Sequence, residues 1–267
     1  MIEDFFKVIE DCLICCDVQQ KIAKVEAAYQ HFGSQNQIGE LTRDGEIIKP
    51  AEVGFPERPE LVHLKFLPKR SFKGEAGRAA LLHAIAHIEF NAINLALDAA
   101  YRFRGMPVEY YLDWLRIADD EVRHFKLLEK RLEDYGVQYG DLPAHRGLWD
   151  MAEKTAHSIL ERMALIPRYM EARGLDVTPG MIQKLESVGD QESVAILKII
   201  LEEEVSHVEA GSRWFSYLCN LAGQESETAY FEIITKYMPG NAPGSLNVEL
   251  RKRAGFSQRE IDLLQQR

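Results

Sequence analysis

Two stretches of the chain repeat one pattern, DDEVRH at 119–124 and EEEVSH at 202–207. On a helix, residues three apart share a face, so Glu121 with His124, and Glu204 with His207, each aim a carboxylate and an imidazole at one point. Mixed oxygen and imidazole donors suit iron or manganese, and a thiolate-poor set disfavours structural zinc. One such pair is common by chance, so its neighbours decide its meaning. One and two turns from Glu121 lie Trp114, Ile117, Ala118, Phe125 and Leu128, and around Glu204 lie Leu197, Ile200, Leu201, Val208 and Gly211. Both acids fall on apolar stripes with no Lys or Arg beside them, where a bare carboxylate costs several kcal/mol. A metal ion is the compensating charge.

The same anomaly recurs in LLHAIAHIEFNAINLAL, where Glu89 shares a stripe with Leu82, Ile85, Ala92, Ile93 and Ala96 while His83 and His87 fall on other faces. Farther on there are two candidates, Glu161 and Glu171. Glu89 to Glu121 is 32 residues and Glu171 to Glu204 is 33, whereas Glu161 would make the second interval 43. Two helical hairpins related by pseudo-twofold symmetry favour Glu171; Glu161, with His157 one turn before it, stands as the alternative. The set Glu89, Glu121, His124, Glu171, Glu204 and His207 is one Glu from each of two helices and one Glu-x-x-His from each of the other two. That is the ligand plan of dinuclear carboxylate proteins built inside a four-helix bundle. Four carboxylates balance two divalent ions, two irons or alternatively manganese or a mixed pair. No catalytic residue beyond these ligands is indicated.

The elements that must carry these residues are helical. The periodicity predicts a first helix over 3–32, broken near Cys12, Cys15 and Cys16, then a Pro-rich connection over 33–74 with room for a short hairpin around TRDGEIIKP. Long helices are predicted at about 75–103, 108–135, 148–173 with a kink at Pro167, and 190–222. Between the last two, Thr178 and Pro179 read as the start of a separate short helix. A tail from Ser226 adds another helix and a last one capped by Ser257. The predicted class is all-α, a four-helix bundle over 75–222, with an N-terminal helix and wrapping segment over 1–74 and a C-terminal helical extension over 223–267 packed on the bundle.

Composition excludes several functions. At 46% apolar residues the chain can bury a core, and its net charge of −10 opposes generic binding to phosphate backbones. One local exception gathers Lys65, Lys69, Arg70, Lys73 and Arg78 around Phe66 and Phe72, a segment that reads first as solvated loop charge and alternatively as a patch for RNA or another anion. No run of about 18 apolar residues occurs, and the N-terminus is acidic where a signal peptide is basic, so no membrane association and a cytoplasmic location are expected. Four cysteines, three of them in CLICC, read as reduced thiols; as a metal site they lack a second Cys/His pair.

The stretches GRAALLHAIAHIEFNAINLALD, MEARGLDVTPGM and EEEVSHVEAGSRWF resemble the ferritin-like superfamily, and within it an uncharacterised bacterial ferritin-like family distantly similar to diiron hydroxylases that modify tRNA. The resemblance spans 74–220, and its EARGLD context favours Glu171. It implies a diiron centre that activates O2 to oxidise or hydroxylate a substrate it does not identify, and a homodimer would be ordinary for the superfamily. Iron handling or peroxide scavenging is the second reading, although the chain lacks a module built on a pair of Cys-x-x-Cys motifs. The third is an interaction module whose metal only pins the helices and whose working surface is His63 to Phe72.

Overall fold

Asp4 and Asp17 begin the first two helices by accepting backbone hydrogen bonds from Phe6 and Gln20, one giving α1 (Phe5–Leu13) and the other α2 (Val18–Ala28). These and all later features come from a computed structural model that describes residues 4–33, 38, 41, 46–240 and 244–267. The expected break near the cysteines falls between Leu13 and Val18, and a π turn over Tyr29–Gly33 closes the segment. Lys21 is fully buried there. Its Nζ donates to Leu13 O and Gly54 O, both at 3.0 Å, and to Asn94 Oδ1 at 2.5 Å, so one ammonium caps α1 and fastens the segment to the next long helix. Cys12 is buried and burial pushes its thiol up to about 12, a protonated thiol and so a poor metal ligand.

The chain divides into two compact units, Met1–Glu153 and Lys154–Arg267. In the first, the Pro-rich connection holds short 3-10 turns at Pro50–Glu52 and Leu64–Phe66 and one isolated parallel bridge from Leu61 to Ala144. Residues 42–45 of the hairpin expected at TRDGEIIKP lie outside the described residues, and 46–49 form no strand. Leu64 and Phe66 are 62% and 65% exposed, as the reading of this basic segment as a surface requires.

The unit's core is the hairpin of α3 (Glu75–Arg102) and α4 (Val108–Glu133). Gly105, at φ 82, makes the turn between them in a conformation that favours glycine. Tyr111 Oη donates to Phe103 O and accepts from Met106 N, while Tyr110 Oη donates to Ala99 O. These bonds fix the register of the two helices. By length and composition α3 could cross a membrane, but 89% of its apolar window is buried inside the protein, the pattern of a core helix. The loop after α4 is fastened to α3 by histidines. His83 Nε2 accepts from Gly140 N at 3.0 Å, and His87 Nδ1 lies 2.9 Å from Tyr139 Oη. α5 (Gly147–Lys154) follows.

The second unit departs from the expected pattern at its start. The helix predicted over 148–173 is interrupted at 155–158, and Ser158 caps a new helix, α6 (Ile159–Leu165). Pro167 produces a π turn over Ile166–Glu171, which leads directly into α7 (Ala172–Ser187). The separate helix expected at Thr178 is therefore corrected: α7 runs unbroken through Gly174 and Pro179. Its buried residues Ala172, Leu175, Thr178, Ile182 and Leu185 form one stripe against the helix that follows. That burial outweighs the roughly 3 kcal/mol a proline costs inside a helix.

Asp190 caps α8 (Gln191–Leu221), close to the range expected. The tail contains α9 (Ser226–Tyr237), α10 (Val248–Arg253) and α11 (Gln258–Gln265), the last begun by a Ser257–Glu260 capping box. Arg251 donates two hydrogen bonds to Asp176, at 3.0 and 2.7 Å, and so holds α10 on α7. All regular structure among the described residues is helical, so the protein is all-α.

Candidate metal centre

Glu89 is carried by α3 and Glu121 and His124 by α4, and the hairpin brings all three together. Each is at most 4% exposed. Their burial follows from the stripes that hold them: Ile85, Ala92, Ile93 and Ala96 beside Glu89, and Trp114, Ile117, Ala118, Phe125 and Leu128 beside Glu121 are buried with them. His124 Nδ1 lies 3.4 Å from Glu89 Oε2 and 3.3 Å from Glu121 Oε2. Burial by itself would lower the proton affinity of His124. The hydrogen bonds and charges of Glu121 and Glu89 outweigh it and hold the imidazole well above the ordinary histidine range. The protonated ring is thus a cation shared by two buried carboxylates.

The ligating atoms of Glu89, Glu121 and His124 lie within 4.8 Å of one another, close enough for one metal ion. Two carboxylates and one imidazole in a buried setting fit iron or manganese. A metal held there takes the place of the imidazolium proton, since a ligating imidazole must be neutral.

In the second unit the repeated motif adopts the same local form. On α8, His207 Nδ1 is 3.6 Å from Glu204 Oε1, and His207 is fully buried. Glu204 is less enclosed than its stripe suggested, with 14% of its side chain exposed against 2% for Glu121. Glu171 is half-buried and is the last residue of the π turn. It therefore sits inside one continuous helical path and not near a helix end, as the sequence had suggested.

Glu161 is committed elsewhere. Its carboxylate accepts from Lys236 Nζ at 2.7 Å and from Tyr237 Oη, and lies 3.0 Å from His157 Nε2. Burial alone would raise its pKa, but the bonds from Lys236 and Tyr237 prevail and hold it below the usual carboxylate range. It ties α9 to α6.

Sequence reasoning missed the groups that brace the π turn. Arg168 is 2% exposed, and it donates from Nη2 to Glu260 Oε1 at 2.8 Å and from Nε to Ser212 Oγ at 3.1 Å. Its guanidinium also packs against the rings of Tyr230, Phe256 and Phe215 at 4.4, 4.7 and 5.1 Å. Gly211 on α8 is required beside it, because a Cβ there would stand 2.4 Å from Pro167 Cβ. The only sequence signal for this arrangement is Pro167, since an Arg and a Glu 92 residues apart do not announce a contact.

Residues 14–262 match a protein family described as of unknown function, DUF455. An uncharacterized protein of Haemophilus influenzae is 44% identical over 270 residues, which cover 98% of this chain and 94% of that protein. No solved structure matches the chain.

Proposed function

The chain belongs to the DUF455 family of unknown function, and we propose, from its own residues, that it is a dinuclear metal carboxylate protein of the ferritin-like kind. In this reading Glu89, Glu121, His124, Glu171, Glu204 and His207 are the ligands of two iron ions. Manganese or a mixed pair would satisfy the same donors. The observation that carries it is His124 Nδ1 within 3.4 Å of carboxylates from two helices, all three side chains buried. The second Glu-x-x-His makes the same kind of contact, His207 Nδ1 to Glu204 Oε1 at 3.6 Å.

Two ferrous ions, when bound, supply the electrons needed to activate O2, and the class of reaction proposed is oxidation or hydroxylation of an organic substrate. The protein's part is to hold ligands and exclude water. Trp114, Phe125 and Leu128 are buried on the stripe that carries Glu121, a low-dielectric setting that strengthens a carboxylate's hold on a cation. We place the protein in the cytoplasm.

Metal content per chain, measured by mass spectrometry after anaerobic loading with Fe(II), tests the reading. About two irons per chain and a near-ultraviolet charge-transfer band after admission of air are expected. Glu121→Ala and Glu204→Ala should each lower the metal content, whereas Glu161→Ala should leave it unchanged. Full iron in both of the first two variants would sink the assignment.

A further inference from the structure

The segment 61–74, before α3, has a charge opposite to that of the chain. It carries Lys65, Lys69, Arg70 and Lys73 and no Asp or Glu, in a protein of net charge −10. Elsewhere surface cations find carboxylates within the chain, as Lys7, Arg116, Lys126, Lys198 and Arg253 do. The four of this segment hold none among the described residues. Lys65 Nζ lies instead over the ring of Phe66, 4.8 Å from its centroid. Like charges gathered without counter-charges repel one another and favour an anionic partner.

Charge alone would make this a solvated loop, but the same segment exposes large apolar side chains. Leu64 and Phe66 are 62% and 65% exposed at the two ends of a 3-10 turn. The turn is fixed before any partner arrives, because His63 accepts from Phe66 N at 2.8 Å and, through Nδ1, from Lys65 N at 3.3 Å. Ile88 of α3, 42% exposed, borders the same depression as Leu67 and Arg70, so apolar surface and cation are contiguous. A single exposed apolar residue is ordinary, whereas a cluster framed by charge marks a contact surface.

The apolar residue types decide between anions. Nucleic acid bases stack on flat side chains, and here Phe66 is the one exposed ring of the segment, with Lys65 already over it, while Leu64 and Ile88 have no flat face. Hydrocarbon accepts Leu, Ile and Phe alike, and lysine and arginine stems lie along it with their charges among the headgroups. We propose that the 61–74 segment and Ile88 form a peripheral docking surface for an anionic phospholipid bilayer, with Leu64 and Phe66 entering the headgroup layer and Lys65, Lys69 and Arg70 meeting lipid phosphates. This amends the expectation of no membrane association, which concerned spanning segments and signal peptides and not a loop resting on headgroups. It draws nothing from the metal reading.

Co-sedimentation of the full chain with vesicles of phosphatidylcholine alone, and of phosphatidylcholine with an equal part of phosphatidylglycerol, tests this. Partition onto the anionic vesicles should be at least about tenfold higher, as several cations near a charged leaflet require. Salt at about 1 M, where charges are screened beyond about 3 Å, should remove the difference. Leu64→Ser with Phe66→Ser, and separately Lys69→Gln with Arg70→Gln, should each lower the anionic partition by about tenfold, all four positions being exposed. Leu221→Ser, at a residue 69% exposed in the second unit, should leave it unchanged. No vesicle binding, equal partition onto both vesicles, or full binding by either double variant would overturn the proposal. So would capture of a fluorescent single-stranded RNA oligonucleotide through Lys69 and Arg70 without capture of vesicles, which would assign the surface to nucleic acid.

Discussion

His124 Nδ1 stands 3.4 Å from Glu89 Oε2, so an imidazole on α4 faces a carboxylate carried by α3. With Glu121 Oε2 at 3.3 Å from the same nitrogen, this ring is the cation that lets two acids stay inside the hairpin. Removing it by His124→Leu in metal-free protein should destabilise the fold by about 3–5 kcal/mol, the range for a buried charge that has lost its counter-ion. Adding Glu89→Gln and Glu121→Gln to the same variant should recover much of the loss. Urea denaturation in the presence of a chelator measures both, and an unchanged midpoint for His124→Leu would show that the ring carries no such role.

Gly211 is the point where α8 admits Pro167. A methyl there would sit 2.4 Å from Pro167 Cβ, a distance that forces the π turn or α8 to move. Gly211→Ala should cost about 1–3 kcal/mol, as overpacking does, in spite of alanine's better helix propensity. Because the same turn presents Glu171, iron content should fall as well if Glu171 is a ligand. Denaturant midpoint and metal analysis on one preparation check the two effects separately.

Arg168 should be the clasp of the C-terminal tail. Arg168→Met leaves Glu260, which is 4% exposed, without its cationic partner, and about 3–5 kcal/mol of destabilisation is expected. Limited proteolysis should then cut first in the segment after α9. Arg168→Met with Glu260→Gln should lose less than the single variant, since no buried charge remains uncompensated.

Acid should weaken the fastening of the 134–146 loop through His83. Burial lowers this imidazole to about 4, and its Nε2 must stay unprotonated to accept from Gly140 N. The unfolded chain takes up the proton near 6.5, so between about 6.5 and 4 it binds more protons than the folded one. Stability should therefore fall as pH drops through that window, and level off below the folded pKa. His83→Gln should flatten this part of the profile, and identical slopes for the two proteins would remove His83 from the account.

The helical class, the break at the cysteines and the limits of α3, α4 and α8 were legible in the sequence, because apolar period and capping residues act locally. So was the burial of Glu89, Glu121 and His124: a carboxylate on a stripe otherwise made of Trp114, Ile117 and Leu128 has nowhere else to go. The continuity of α7 was not legible. Gly174 and Pro179 are genuine local stop signals, and only the stripe from Ala172 to Leu185, buried against a neighbour, overrides them. The roles of Lys21, Arg168 and Asp176 were hidden for a related reason. A buried charge is tolerated only where distant acceptors or donors converge on it, and tertiary packing alone decides which residues those are.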